Sequence, residues 1–355
     1  MKKTGRLIWV TVSLSAILFS CTRNDGLLNN TALKQAINTG ASGLNSAMVN
    51  ISSSQAYSIL TAYNGNLKSA TVTDSTYKVY IPLSLIKGIY AYKPVTKVDR
   101  LGISLIQFFT KTADNSKMIV QMPLKKVKSP GALRHYSPAD SSLTNNFSIA
   151  VSDYHNNYNN YWDYDYVLAS EINVDNVLAG KLNINSIVSP TNGIHYTSQY
   201  VFTDSYTAQY KYDSGDTTVS SFAITSNNNT LYKEELLTIK NDTARFGREH
   251  KYILTIGDVQ IIRKSGTRTV QIAVNGVVQP NAVVTIVDQA PDPEASVCKK
   301  RDIQITFEDG TTSTVSALIG KSIDDIKTLF DSLHSVYFAA YVVDWIAYDI
   351  YYQRN

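Results

Sequence analysis

From Phe147 to Val287 the chain alternates apolar and polar residues with a period of two. Leu178, Gly180, Leu182 and Ile184 alternate with Ala179, Lys181, Asn183 and Asn185. Tyr196, Tyr200 and Phe202 alternate with Thr197 and Gln199, and Tyr206, Ala208, Tyr210 and Tyr212 with Thr207, Gln209 and Lys211. Successive side chains of a strand point to opposite faces, so this pattern describes strands with one buried and one wet face. Turn signals interrupt it at Asp175-Asn176, Thr191-Asn192-Gly193, Asp204-Ser205, Ser214-Gly215-Asp216 and Asn227-Asn228-Asn229. Spacings of roughly 10 to 15 residues fit consecutive hairpins and leave no room for crossover helices. Asn275-Gly276, set between Ala273-Val274 and Val277-Val278, is the strongest hairpin signal, because both central residues of the favoured turn need a positive φ. The expected fold is α+β and mainly β: an antiparallel meander with a C-terminal helical pair.

That pair is read from the end of the chain. Asp302 to Phe307, the turn Glu308-Asp309-Gly310 and Thr311 to Ser316 form a last hairpin. Ser322 with Asp325 makes a capping-box-like start, and Asp324 and Asp325 suit the positive end of a helix dipole. Ile323, Ile326, Leu329, Phe330 and Leu333 follow at helical spacing. A second helix, Val336 to Tyr352, places Phe338, Val342, Trp345 and Ile346 on one face, although its Tyr and Val content leaves a strand reading open. So many large apolar side chains are expected to pack on the sheet. Before the meander, Gln55 to Thr61 reads as a short helix and Tyr77 to Leu83 as a strand. Ile103 to Thr112 and Lys117 to Met122 read as a hairpin about Asp114-Asn115. Pro123, Pro130-Gly131 and Pro138 make a loop of the stretch that follows. The divisions expected are 1–20, a leader; 21–46, a flexible tether rich in Asn, Thr, Gly and Ala; 47–142, an N-terminal β-rich part; 143–290, the meander; and 291–355, the hairpin and helices.

The first residues carry a different kind of information. Lys2, Lys3 and Arg6 precede an apolar run from Leu7 to Phe19, which is shorter than the roughly 20 residues a spanning helix needs. Leu18-Phe19-Ser20-Cys21 closes the run and resembles the lipobox of bacterial lipoproteins. The resemblance covers only these residues and implies an export class. It implies that Cys21 becomes the lipidated N-terminus, a membrane anchor through acyl chains, and the residue after it, Thr22 in place of Asp, favours the outer membrane. An ordinary secretory signal with an incidental Cys21 is the alternative.

Lys and Arg total 33 and Asp and Glu 29, and three of the basic residues lie in the leader. The remainder is within one charge of neutral and has no basic cluster with interleaved aromatics, which argues against nucleic-acid binding. Tyrosine is over-represented, with 24 copies against 10 Phe and 3 Trp, as suits half-buried sheet surfaces. With Cys21 lipidated, Cys298 has no partner and is expected to be reduced and buried.

The run from Asp153 to Tyr166 is the most suggestive stretch. Its rings and amides are what a sugar-binding surface uses, and Tyr158, Tyr161, Trp162 and Asp163 are the candidate ligand-binding residues. A polar hairpin loop at Asn156 to Asn160 explains the same composition. His155 with Asp153 and Asp163 could ligate a metal, but no paired His or Cys motif accompanies them, and no cofactor is expected. His135, His195, His250 and His334 are scattered. There is no G-x-S-x-G elbow and no phosphate-binding glycine loop. The expectation is a non-catalytic envelope module that binds a glycan, lipid or protein partner. The alternative is an envelope hydrolase such as a glycosidase, with Glu234-Glu235 or Asp213 and Asp216 as its carboxylates.

Overall fold

The computed structural model describes residues 26–61, 78–93, 105–127, 142–244, 247–267, 269–288, 301–335 and 337–354. Cys21, Cys298 and the side chain of Phe338 lie outside the described residues.

The chain opens with two helices, α1 (Asn30–Ser52) and α2 (Gln55–Thr61). A first group of strands follows: β1 (Val79–Pro82), the one-turn helix α3 (Leu83–Ile86), β2 (Gly88–Tyr92), a 3-10 turn (Leu105–Phe108), β3 (Phe109–Ala113), β4 (Met118–Met122) and the one-turn helix α4 (Leu124–Val127). The meander then runs through β5 (Phe147–Asn160), β6 (Asp163–Val174), β7 (Val177–Ser189), β8 (Gly193–Phe202) and β9 (Tyr206–Asp213). It continues as β10 (Thr217–Ser226), β11 (Asn229–Lys240), β12 (Arg248–Ile256), β13 (Val259–Lys264) and β14 (Val270–Val274). Every one of these ten strands pairs antiparallel with the next. Beyond it come β15 (Val277–Val278), β16 (Ala282–Asp288), β17 (Arg301–Phe307), β18 (Thr312–Thr314), and the helices α5 (Val315–Ile319), α6 (Ser322–Ser335) and α7 (Tyr337–Arg354).

The expected turns form as the residue chemistry requires. Asp175 and Asn176, Asn227 and Asn228, and Asn275 and Gly276 all take positive φ, which makes the three two-residue connections type I′ turns. At the other edge of β5, β4 pairs with Phe147 to Val151 and β1 with His155 to Tyr158. Residues 47–142 and the meander therefore share one sheet, and β16–β17 pairing carries it across position 290. The proposed hairpin about Asp114-Asn115 is corrected. β2 lies between β3 and β4, antiparallel to the first and parallel to the second. The burial explains the order: β4 buries Met118, Val120 and Met122 and needs partners on both sides, whereas β3 buries only Phe109 and suits an edge.

One face of the sheet is covered by helices. The other carries ion pairs such as Lys117–Glu171–Lys181 and Lys211–Asp213–His195, as expected of a half-wet antiparallel sheet. The stretch 21–46, expected as a flexible tether, is helical from Asn30 onward, and Asn30–Ser52 is the longest helix among the described residues. Leu33, Ile37, Ala41, Leu44, Met48 and Ile51 recur at steps of three and four and are all buried against the sheet and α6. Asn29 Oδ1 accepts from the Ala32 N–H at 2.8 Å and caps the start. Gly40 allows the close approach: a Cβ there would lie 2.7 Å from the Ile256 carbonyl oxygen. The small and polar residues that suggest a tether are the price of this contact.

The C-terminal helices pack as expected, with Ile326, Leu329 and Leu333 of α6 and Val342 and Ile346 of α7 buried. Ile323 instead faces water at 39% exposure. The Ser322 hydroxyl does not cap its own helix as the sequence suggested; it donates to Asn45 Oδ1 at 2.6 Å and ties α6 to α1. No helix among the described residues is long and apolar enough to cross a membrane.

Candidate functional site: an aromatic hairpin tip and a tyrosine row under the last helix

The register of the meander aligns tyrosines across strands on the helix-covered face. Asn156, Tyr166, Ser186, Tyr196, Tyr212 and Ser220 are direct neighbours in sequence of strands β5 to β10. Ser186 separates the rings of Tyr166 and Tyr196, Tyr196 and Tyr212 meet directly, and Ser220 follows, on strands about 4.8 Å apart. One step away, Tyr158 stands opposite Tyr164. Most of these side chains are half-buried, with the rings packed and the edges toward water.

The four sequence-derived ligand residues separate. Asn156 to Asn160 is strand, and the turn of the β5–β6 hairpin consists of Tyr161 and Trp162 alone. These two rings meet edge to face, 4.9 Å between centroids, and are 68% and 64% exposed. Neither residue takes a positive φ; the register instead slips between Tyr158 and Asn160. Local bonds hold the turn: Trp162 N–H donates to Asn160 Oδ1 at 2.8 Å, and Asn159 Nδ2 donates to Asp163 Oδ2 at 3.2 Å. Asp163 therefore sits at the neck of the hairpin, while Tyr158 lies on the tyrosine face, packed against the core.

The metal arrangement does not assemble. His155 Nε2 meets Asp165 Oδ2 at 3.0 Å, not Asp153 or Asp163, and no described group of His, Cys, Asp and Glu could hold an ion. The carboxylate pairs also part. Glu234 and Glu235 are successive residues of β11 and face opposite sides, the first accepting from the Tyr232 hydroxyl and the second paired with Lys233. Asp213 is held by Lys211 at 2.6 Å and His195 at 2.9 Å, and Asp216 lies in the following turn.

Sequence reasoning missed Asp344. It sits on α7 within Val342-Val343-Asp344-Trp345-Ile346, against the β5–β6 end of the tyrosine row. The hydroxyls of Tyr154 and Tyr166 both donate to its Oδ1, at 2.9 and 3.1 Å. Those rings stand nearly perpendicular, 5.9 Å between centroids. Burial pushes the Asp344 carboxyl up to about 7, against the two hydroxyl donors that favour its charged form. Burial also raises Tyr154 and Tyr166 well above the ordinary phenol, and the neighbouring carboxylate adds to it. Tyr348, one turn further along α7, is pushed up to about 12 by burial and then by Asp344. A lone carboxylate inside an apolar helical run was the available signal. Its tyrosine partners lie 190 and 178 residues away and could not be paired with it by spacing.

No protein-family model matches the chain, and neither the curated proteins nor the solved structures contain a match to it.

Proposed function

We propose that this protein is an exported, lipid-anchored binding module, tethered through Cys21 to an envelope membrane and presenting the Tyr161–Trp162 hairpin tip to a neutral glycan. The observation that carries the reading is the exposed edge-to-face pair at the end of a bonded two-strand hairpin. Aromatic area of this size left in water is costly unless a partner covers it. Rings stack on the apolar face of a pyranose, and Asn160 and Asp163 beside them offer acceptors and donors for its hydroxyls. The near-neutral charge of the chain beyond its leader suits an uncharged ligand. The hydrolase alternative has less support, because Glu234 and Glu235 face opposite sides and Asp213 is bound by two basic side chains.

Affinity electrophoresis through gels containing neutral polysaccharides tests the reading. The wild-type protein should be retarded by at least one of them, and a Tyr161→Ala/Trp162→Ala protein should migrate as in the empty gel. Equal retardation of both proteins, or of neither, would exclude the tip as a glycan site.

A further inference from the structure

The carboxylate of Asp344 is built like half of a site. Both tyrosine hydroxyls fall on Oδ1, and Oδ2 accepts no hydrogen bond from the described residues. The residue is recessed yet keeps part of its surface open to water, as do Tyr166, Tyr348 and Asn156 around it. No Lys, Arg or His among the described residues pairs with it. A desolvated carboxylate without a cation is costly to keep, and a purely structural acceptor for two phenols would need no charge at all. The Tyr154 and Tyr166 rings stand nearly at right angles with their hydroxyl ends converging on the acid, Tyr154 fully buried and Tyr166 half-buried.

We propose that Asp344 binds a primary ammonium group on an alkyl stem, with the ammonium donating to Oδ2 and the stem running beside the half-exposed Tyr166 and Tyr348. An ammonium supplies what the recess lacks: a positive charge and donors for an oxygen that has none. A neutral sugar hydroxyl would satisfy Oδ2 but leave the charge uncompensated, so this site is distinct from the glycan tip and does not depend on it.

Binding should follow the ionisation of Asp344. The titratable groups facing it are Tyr154 from β5, Tyr166 from β6 and Tyr348 from its own helix, all of which stay protonated through neutral pH. The other elements packed on α7 add little: α3 and the 3-10 turn hold no ionisable residue, β1 offers only the exposed Tyr80, and no described ion pair links Asp344 to α6.

Isothermal titration of the protein with n-butylammonium chloride at constant ionic strength is the test, with n-butanol and potassium chloride as controls. At pH 8 the wild type should bind butylammonium saturably and neither control. At pH 5.5 the affinity should fall about thirtyfold, as the carboxyl takes up its proton. Asp344→Asn, which keeps an acceptor for both tyrosines, should abolish binding while thermal melting shows the variant folded. No saturable binding by the wild type, binding that is indifferent to pH, or equal binding by the folded variant would each overturn the proposal. Should the variant not fold, the wild-type pH series decides alone.

Discussion

Asp344→Asn makes a sharp prediction about stability as well as binding. The carboxyl titrates near its ordinary 3.8 in the unfolded chain and near 7 in the folded one. Between these values the unfolded state releases a proton that the folded state keeps. The folded state therefore binds more protons, and its stability falls as pH rises through this window. A shift of about three units corresponds to roughly 4 kcal/mol in full, of which about 2.6 kcal/mol develops between pH 5 and pH 8. Asparagine has no proton to lose and still offers Oδ1 to Tyr154 and Tyr166. The variant should thus gain on the wild type by about 2.6 kcal/mol on going from pH 5 to pH 8, a large part of a typical domain's stability. Urea unfolding of both proteins at the two pH values measures this difference, and taking it between proteins cancels the histidines and surface acids they share. A gap that changes by less than about 1 kcal/mol, or in the opposite direction, would refute the claim that burial dominates the environment of Asp344.

Three further outcomes follow from other contacts. Gly180→Ala would place a Cβ 2.6 Å from ring carbons of the fully buried Tyr200, so it should lower stability by about 1–3 kcal/mol in denaturant unfolding. Trp345 packs against the core but is only half-buried and touches Tyr341 at 5.3 Å; Trp345→Ala should cost about 2 kcal/mol, below the 3–5 of a fully buried ring, measured as a shift in the denaturant midpoint. Cys21→Ser should move the protein from the membrane pellet to the soluble fraction after a salt wash, since each buried CH₂ of an acyl chain contributes about 0.8 kcal/mol to anchoring.

The parts of this fold that were legible in the sequence are those whose chemistry is local. Asn275-Gly276 and Asp175-Asn176 name their turns because few residue pairs tolerate two positive φ values in succession. The alternation around Leu182 and Tyr210 names its strands because a single face is buried. Helix α1 was not legible, since Gly40, Gly43 and several Asn and Thr residues lower its intrinsic helicity, and its apolar stripe gains meaning only from the strands it covers. The position of β2 between β3 and β4 was hidden for a similar reason: proximity in sequence favoured the hairpin, and the demand of β4 for two partners is a property of the whole sheet. At the candidate site, Tyr161 and Trp162 stood out by residue type but not by position, because the turn chemistry of Asn156 to Asn160 pointed to a loop where β5 continues, and the carboxylate of Asp344 finds its two donors only after the meander and the last helix have come together.

The clasp of α1 sets an order of events. The Leu28 N–H donates to Gln279, Lys34 pairs with Asp309 at 2.5 Å, and Asn45 accepts from Ser322, contacts that span 251, 275 and 277 positions. Helix α1 therefore waits for partners that are made 251 to 277 residues after it. Its apolar stripe cannot be buried while the chain is still growing from the N-terminus, and closure must await strands β11 to β13 and helix α6. Such long-range closure is slow and leaves a greasy segment available to other binders for the whole interval. A chain built this way remains open for threading through a narrow passage until those later strands and helix α6 have arrived, then locks α1 to them in one late step.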